Sequence, residues 1–216
     1  RRSETFGRRS SRQASKGKVM TYTLRPQQEV FETDIREAFR NHRSVIGVAP
    51  TGFGKGVVIG DMAFKAAEKG RKVLVVTNRR VVVRQLTEHC EHAGLHVGVI
   101  MAGHETDNSA PVQIASIQTL TRRKFVGTST PGFCIIDECH QANQAYRHMI
   151  QDRFPCTPFL GLTATPVGPG GSRIGHFETI VEPIKNSQVI EAGHLLKVRY
   201  IAPCSPDMGG VNLKSA

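Results

Sequence analysis

The chain has 216 residues, enough for one large domain or one domain with an appendage, and 39% of them are hydrophobic, enough for a real core. With 29 Lys+Arg against 18 Asp+Glu the formal net charge is +11, so the protein is strongly basic. No apolar run approaches the roughly 20 residues of a membrane span. Compact Val/Ile/Leu-rich segments argue against a collagen-like or disordered chain, and five scattered cysteines with no Cys-x-x-Cys pair exclude a disulfide scaffold. Thiols of this kind are expected reduced, as in an intracellular protein.

Charge is concentrated at the start. Residues 1–18 hold seven basic residues and one acidic one, so +6 of the +11 lies there. This arm lacks hydrophobic periodicity, and residues 1–20 read as a basic flexible tail. A nucleic-acid-attracting arm and a targeting segment remain as other readings of the same composition.

Pro26 suits a first helical turn, and Phe31, Ile35, Ala38 and Phe39 recur at helical spacing after it. Ser44–Ala49 is a short buried-strand pattern followed by a Gly-rich turn. A second helix is expected to about Glu68, with Ile59, Met62, Ala63 and Ala66 inward. Lys72–Thr77 is the next strand. A helical stripe of Val82, Leu86, Cys90 and Ala93 then ends at Gly94. Strand candidates follow at Val97–Met101, Val112–Ser116, Phe133–Asp137 and Phe159–Thr163, with helices near Gln118–Arg123 and Ala142–Phe154. Val167–Gly175 reads as a flexible loop, Val189–Leu196 as helix, Lys197–Ala202 as extended, and 204–216 as the start of a linker. Strands apolar on both faces, alternating with helices, predict an α/β fold: a mostly parallel sheet sandwiched by helices.

Three segments carry chemistry. Ala49-Pro50-Thr51-Gly52-Phe53-Gly54-Lys55-Gly56 lies between a strand and a helix. There backbone N–H groups and the positive helix end converge on an anion, and Lys55 adds charge for phosphates. Alone, such a turn is compatible with a phosphate loop or with a purely structural βα turn. Ile135-Ile136-Asp137-Glu138-Cys139-His140 closes an apolar strand. Adjacent carboxylates at a strand's carboxyl end are costly unless they serve a cation or a reaction. Asp137 suits Mg²⁺ and Glu138 suits orienting and deprotonating a water; the bland alternative is a solvated loop. Leu162-Thr163-Ala164-Thr165-Pro166 also ends a strand, and by itself is ordinary strand-end chemistry.

In this order, and from about Tyr22 to Pro206, these segments resemble the first, RecA-like lobe of a superfamily-two DEAD/DEAH-type helicase. Leu24-Arg25-Pro26-Gln27-Gln28 resembles the family's adenine-recognising segment. Thr77–Gln85 and Ala115–Leu120 are similar to its strand-contacting motifs, and the DECH and TATP segments to its hydrolysis and coupling motifs. TATP, and the long gap from Gln28 to the Gly-rich turn, place the resemblance in the branch of type III restriction subunits, repair-type translocases and phage helicases. The resemblance implies an ATP- and Mg²⁺-dependent motor lobe over residues 21–203. Arg25 and Gln28 would read adenine, and Thr51, Gly52, Phe53, Gly54, Lys55 and Gly56 would hold the phosphates. Asp137 would bind the metal and Glu138 act as general base, with Lys55 and His140 completing the catalytic set. Asn78, Arg79, Arg80, Gln118 and Thr119 would line the nucleic-acid path, while Thr163 and Thr165, with His140, would couple nucleotide state to it. DNA is implied over RNA, in a cytoplasmic setting that a phage source would fit.

Two departures stand out. Where the family carries Thr or Ser to ligate Mg²⁺, this chain has Gly56, which also costs up to about 1 kcal/mol at a helix start. Weakened Mg²⁺-dependent hydrolysis is therefore expected, with Gly56→Thr altering turnover. Further, nothing downstream resembles the second lobe that supplies an arginine finger, worth ~10³–10⁵ in rate in related hydrolases; that lobe is expected elsewhere in the same natural chain. The rival function is a degenerate nucleotide-sensing, nucleic-acid-binding scaffold with little turnover. A small-molecule kinase would leave Arg79–Gln85 unexplained. His89, His92 and His96 read as a polar helix end, not a zinc site. Cys139 reads as a spacer, and Cys134 as a small core residue.

Overall fold

The computed structural model describes residues 23–124, 128–141, 143–167 and 174–182. In chain order these form α1 (Pro26–Ala38), β1 (Ser44–Val48), α2 (Lys55–Glu68), β2 (Val73–Thr77), α3 (Arg80–His92) and β3 (Val97–Ile100). They continue as β4 (Val112–Ser116), α4 (Ile117–Arg122), β5 (Phe133–Asp137), α5 (Asn143–His148), a π-helical turn (Met149–Arg153), β6 (Phe159–Thr163) and β7 (Thr179–Val181). The basic arm, Val189–Leu196, Lys197–Ala202, the 204–216 segment and most of the 167–175 loop lie outside the described residues.

The strands make one seven-stranded sheet in the order β3-β4-β2-β5-β6-β1-β7, and every pairing is parallel. Both faces are covered, which is why the strands read as continuous apolar runs instead of alternating ones. Val75, Ile114, Ile135 and Leu160 face α1, α2 and α3 through Phe31, Ile59 and Leu86. Leu74, Val76, Cys134 and Ile136 face the other layer through Leu120, Tyr146, Met149 and Phe154. The sheet is the expected fold, with short differences at strand and helix ends.

Three elements depart from expectation. The Ala142–Phe154 helix is instead α5 followed by the π-helical turn, closed by Phe154 N–H donating to Met149 O at 3.0 Å. On α3 the fully buried stripe is Val83, Leu86 and Cys90; Val82 is turned toward the sheet's carboxyl edge. The edge strand β7, unforeseen, pairs Val45 with Thr179.

Beside β7, His176 is buried against Phe177, ring centroids 4.9 Å apart, and its Nε2 has no hydrogen-bond partner among the described residues. Burial, with Arg147 nearby, pushes its pKa down from 6.5 to about 4. An unfolded chain thus binds the proton that the folded chain refuses between those values. Stability falls as pH drops through that window, by on the order of 3 kcal/mol at its lower end. In chemical denaturation from about pH 7 to about pH 4, His176→Gln should lose this component; parallel wild-type and variant curves would refute it.

Candidate nucleotide site

The site forms at the carboxyl ends of β1, β2, β5 and β6, where open parallel sheets bind ligands. After β1, Ala49 N–H donates to Thr163 O at 2.9 Å, tying the start of the turn to the end of β6. Phe53 is buried edge-on to Phe31, with centroids 5.4 Å apart and planes at 85°. Gly54 has φ +89 and initiates α2 from the left-handed region. Its second reason to be glycine is Gln28, whose Nε2 lies 2.7 Å from where a Cβ would stand.

Gln28 is 2% exposed. Its Oε1 accepts from Arg25 N–H at 2.9 Å and its Nε2 donates to Phe53 O at 2.8 Å. The side chain thus fastens the start of α1 to the Gly-rich turn. Arg25 is exposed beside it, as are Thr51 and Gly52 on the turn itself. Lys55 donates to Ala49 O at 3.3 Å and places Nζ 3.5 Å from Glu138 Oε1.

At the end of β5, Asp137 is 7% exposed. Burial, and then the charge of Glu138, push its carboxyl up to about 6, against the opposing pull of Lys55. Glu138 has φ +49, a left-handed backbone rare outside glycine and costing on the order of 1–3 kcal/mol. That turn lets Cys139 N–H donate to Leu162 O at 3.1 Å while Glu138 faces Lys55. Burial pushes the thiols of Cys90, Cys134 and Cys139 up, so none is a ready nucleophile.

Thr163 is a hydrogen-bond hub. Its hydroxyl donates to Thr165 O and accepts from Thr165 N–H, both at 2.9 Å. His140 Nδ1 is 2.8 Å from the same oxygen and 3.4 Å from Glu138 Oε2. With the hydroxyl proton committed to Thr165, the network assigns a hydrogen to Nδ1 of His140. The structure thus brings His140, Thr163, Thr165 and Glu138 together.

The candidate nucleic-acid residues lie along the ends of β2 and β4. Asn78 Nδ2 donates to Gln141 Oε1, and Gln118 Nε2 donates to Asn78 O at 2.7 Å. Gln118 also accepts from Ser116 Oγ at 2.6 Å. Arg79 and Arg80 are exposed, Arg80 reaching Ala102 O at 2.8 Å. Thr119 is apart from this ridge, 7% exposed and packed inward.

A cavity of about 550 Å³ joins these pieces, lined by Lys55, Gly56, Arg79, Asp137, Glu138 and Gln141 among others. Among the lining residues not foreseen as site residues are Gln141, which anchors Asn78, and His89. The three histidines of α3 and its exit part company: His89 enters this cavity, His92 Nδ1 bonds Glu88 O at 2.7 Å, and His96 pairs with Asp107 at 2.9 Å. The helical spacing of Val82, Leu86 and His89 was the available signal, once the stripe is rotated by one residue.

A parallel sheet with a Gly-rich turn after β1 and paired carboxylates after β5 defines a RecA-like nucleotide-binding lobe. The family model described as type III restriction enzyme, res subunit, matches residues 21–168, and the chain belongs to that family. A 51.5 kDa protein of a Lactococcus phage (isolate 7-9) is 25% identical over 168 residues, 77% of this chain and 34% of its own length. The UvsW helicase of bacteriophage T4 superposes with a TM-score of 0.64 at 22% identity, over 78% of this chain and 64% of that one. The Hef helicase domain of Pyrococcus furiosus gives 0.60 at 20% identity, over 76% and 39%. The chain therefore spans about a third of the phage relative's length and less than two thirds of UvsW. Among the described residues no helix is long and apolar enough to cross a membrane.

Proposed function

We propose that this lobe binds ATP and Mg²⁺ and hydrolyses the nucleotide in step with movement along nucleic acid. The observation that carries the reading is the meeting of Lys55, Asp137 and Glu138 in one cavity, Lys55 Nζ 3.5 Å from Glu138 Oε1. A buried carboxylate whose proton is held up to about 6 is a site waiting for positive charge. Its oxygen chemistry fits Mg²⁺, whereas Gly56 contributes no ligand. Bound there, the metal would neutralise phosphate charge.

The chain's own residues would do the rest. The amides of residues 52–56 and Lys55 cradle phosphates. Glu138 orients the attacking water and takes its proton. With its Oε1 and one amide hydrogen committed, Gln28 has one N–H left for adenine, and exposed Arg25 stands beside it. His140, Thr163 and Thr165 would carry the nucleotide's state from β5 to the segment after β6. Arg79, Arg80, Asn78 and Gln118 would meet backbone phosphates, which fix position and not base identity. The helicase neighbours favour nucleic acid as partner, and with it we propose DNA ahead of RNA and a second RecA-like lobe supplying an arginine finger. The setting would be cytoplasmic.

ATP hydrolysis by the natural gene product is the test, with no polymer, single-stranded DNA, duplex DNA and RNA in parallel, and the 216-residue chain as control. Stimulation by one polymer is expected and names the track. Nucleotide binding without turnover in every arm would select the nucleotide-sensing scaffold, the reading Gly56 favours.

A further inference from the structure

A side chain at position 56 would press on the imidazole of His89, which would have to move aside for it. A Cβ built on Gly56 would lie 2.9 Å from His89 Cδ2 and 3.1 Å from His89 Nε2. Real Cβ atoms essentially never approach within 3.0 Å of such a neighbour. The reason lies in how α2 and α3 meet. Gly60, one turn after Gly56, has the backbone oxygen of His89 3.5 Å from its own Cβ position, an ordinary contact that sets the His89 turn of α3 over this face of α2. The imidazole is carried to the cavity wall shared with Lys55, Asp137 and Glu138.

We propose that His89 contacts the nucleotide's phosphates, its ring filling the space beside Gly56. This rests on the nucleotide-site reading above. A ring nitrogen is a poor ligand for a hard, oxygen-seeking cation such as Mg²⁺. As an N–H donor it suits a phosphate oxygen. The Gly56→Thr exchange expected above to alter turnover through a regained metal ligand would first collide with this ring.

Equilibrium binding of a fluorescent ATP analogue to the 216-residue chain tests this, measured with Mg²⁺ and again with EDTA. His89→Ala should weaken binding about tenfold in both solutions, equivalent to about 1.4 kcal/mol, because a phosphate contact needs no metal. Gly56→Thr alone should weaken it at least as much. Combined with His89→Ala it should regain affinity with Mg²⁺ but not with EDTA, the hydroxyl having room to serve the metal. Unfolding midpoints are read alongside, and His89→Gln and Gly56→Ser replace any variant whose fold is lost. Wild-type affinity in His89→Ala, or in Gly56→Thr, overturns the proposal; so does a His89→Ala loss confined to Mg²⁺. Absence of binding by the wild-type chain in both solutions instead overturns the nucleotide-site reading itself.

Discussion

Glu138→Gln is expected to lower nucleic-acid-stimulated ATP turnover at least about 100-fold, the usual contribution of a positioned general base. Nucleotide affinity should stay within about threefold, because the phosphates are held from the other side, by Lys55 and the turn amides. The substitution preserves shape, and Gln meets the same backbone demand as Glu at φ +49. What it removes is the carboxylate whose Oε1 lies 3.5 Å from Lys55 Nζ and whose Oε2 lies 3.4 Å from His140 Nδ1. Steady-state hydrolysis with the stimulating polymer, paired with analogue binding, separates the two effects. Turnover within a few-fold of wild type would remove Glu138 from the chemistry.

Phe31→Ala should cost about 3–5 kcal/mol of folding stability, the range for deleting a buried aromatic ring. The ring is fully buried, and its Cζ lies 2.8 Å from where a Cβ on Gly47 would be, so it fills the groove that glycine leaves in β1. On its other side it meets Phe53 edge-on, a pairing worth ~0.5–1.5 kcal/mol beyond burial. Loss of the ring therefore loosens the turn from beneath, and nucleotide affinity should fall along with stability. Urea unfolding of wild type, Phe31→Leu and Phe31→Ala should give a graded series. A loss under about 1 kcal/mol in Phe31→Ala would mean the core collapses around the gap.

Much of this was legible in the sequence, for identifiable reasons. Strands such as Val112–Ser116 and Phe133–Asp137 were bounded correctly because short, mostly apolar segments set off by polar loops have few other solutions in a parallel sheet. Thr179–Val181 was missed because three half-buried residues carry no periodicity; only pairing with Val45 makes them a strand. The π-helical turn at Met149–Arg153 has no Gly or Pro to announce it, and its shift arises from docking Met149, Ile150 and Phe154 into the lower core layer. Among site residues, the motifs marked which side chains gather but not what they do to one another. Gln28 could be read as facing a base, yet its bond to Phe53 O spans 25 residues and belongs to the folded turn. His89 was hidden for a similar reason. A histidine near a helix end is ordinary, and its meaning comes only from the glycine it faces across two helices.

The place of β1 in the sheet has a consequence for how the protein is made. β1 carries the Gly-rich turn, yet its neighbours are β6 and β7, and Arg43 beside it bonds Glu178, 135 residues later in the chain. A ribosome adding about 5–20 residues per second needs on the order of ten seconds to supply those partners. Throughout that interval Ser44–Val48 is an apolar strand with two unsatisfied edges, next to helices that form early. Until β6 and β7 are made, those edges are therefore open to pairing with strands of other chains. Ribosome stalling between β1 and β6 would yield aggregates, whereas stalling before β1 emerges would not.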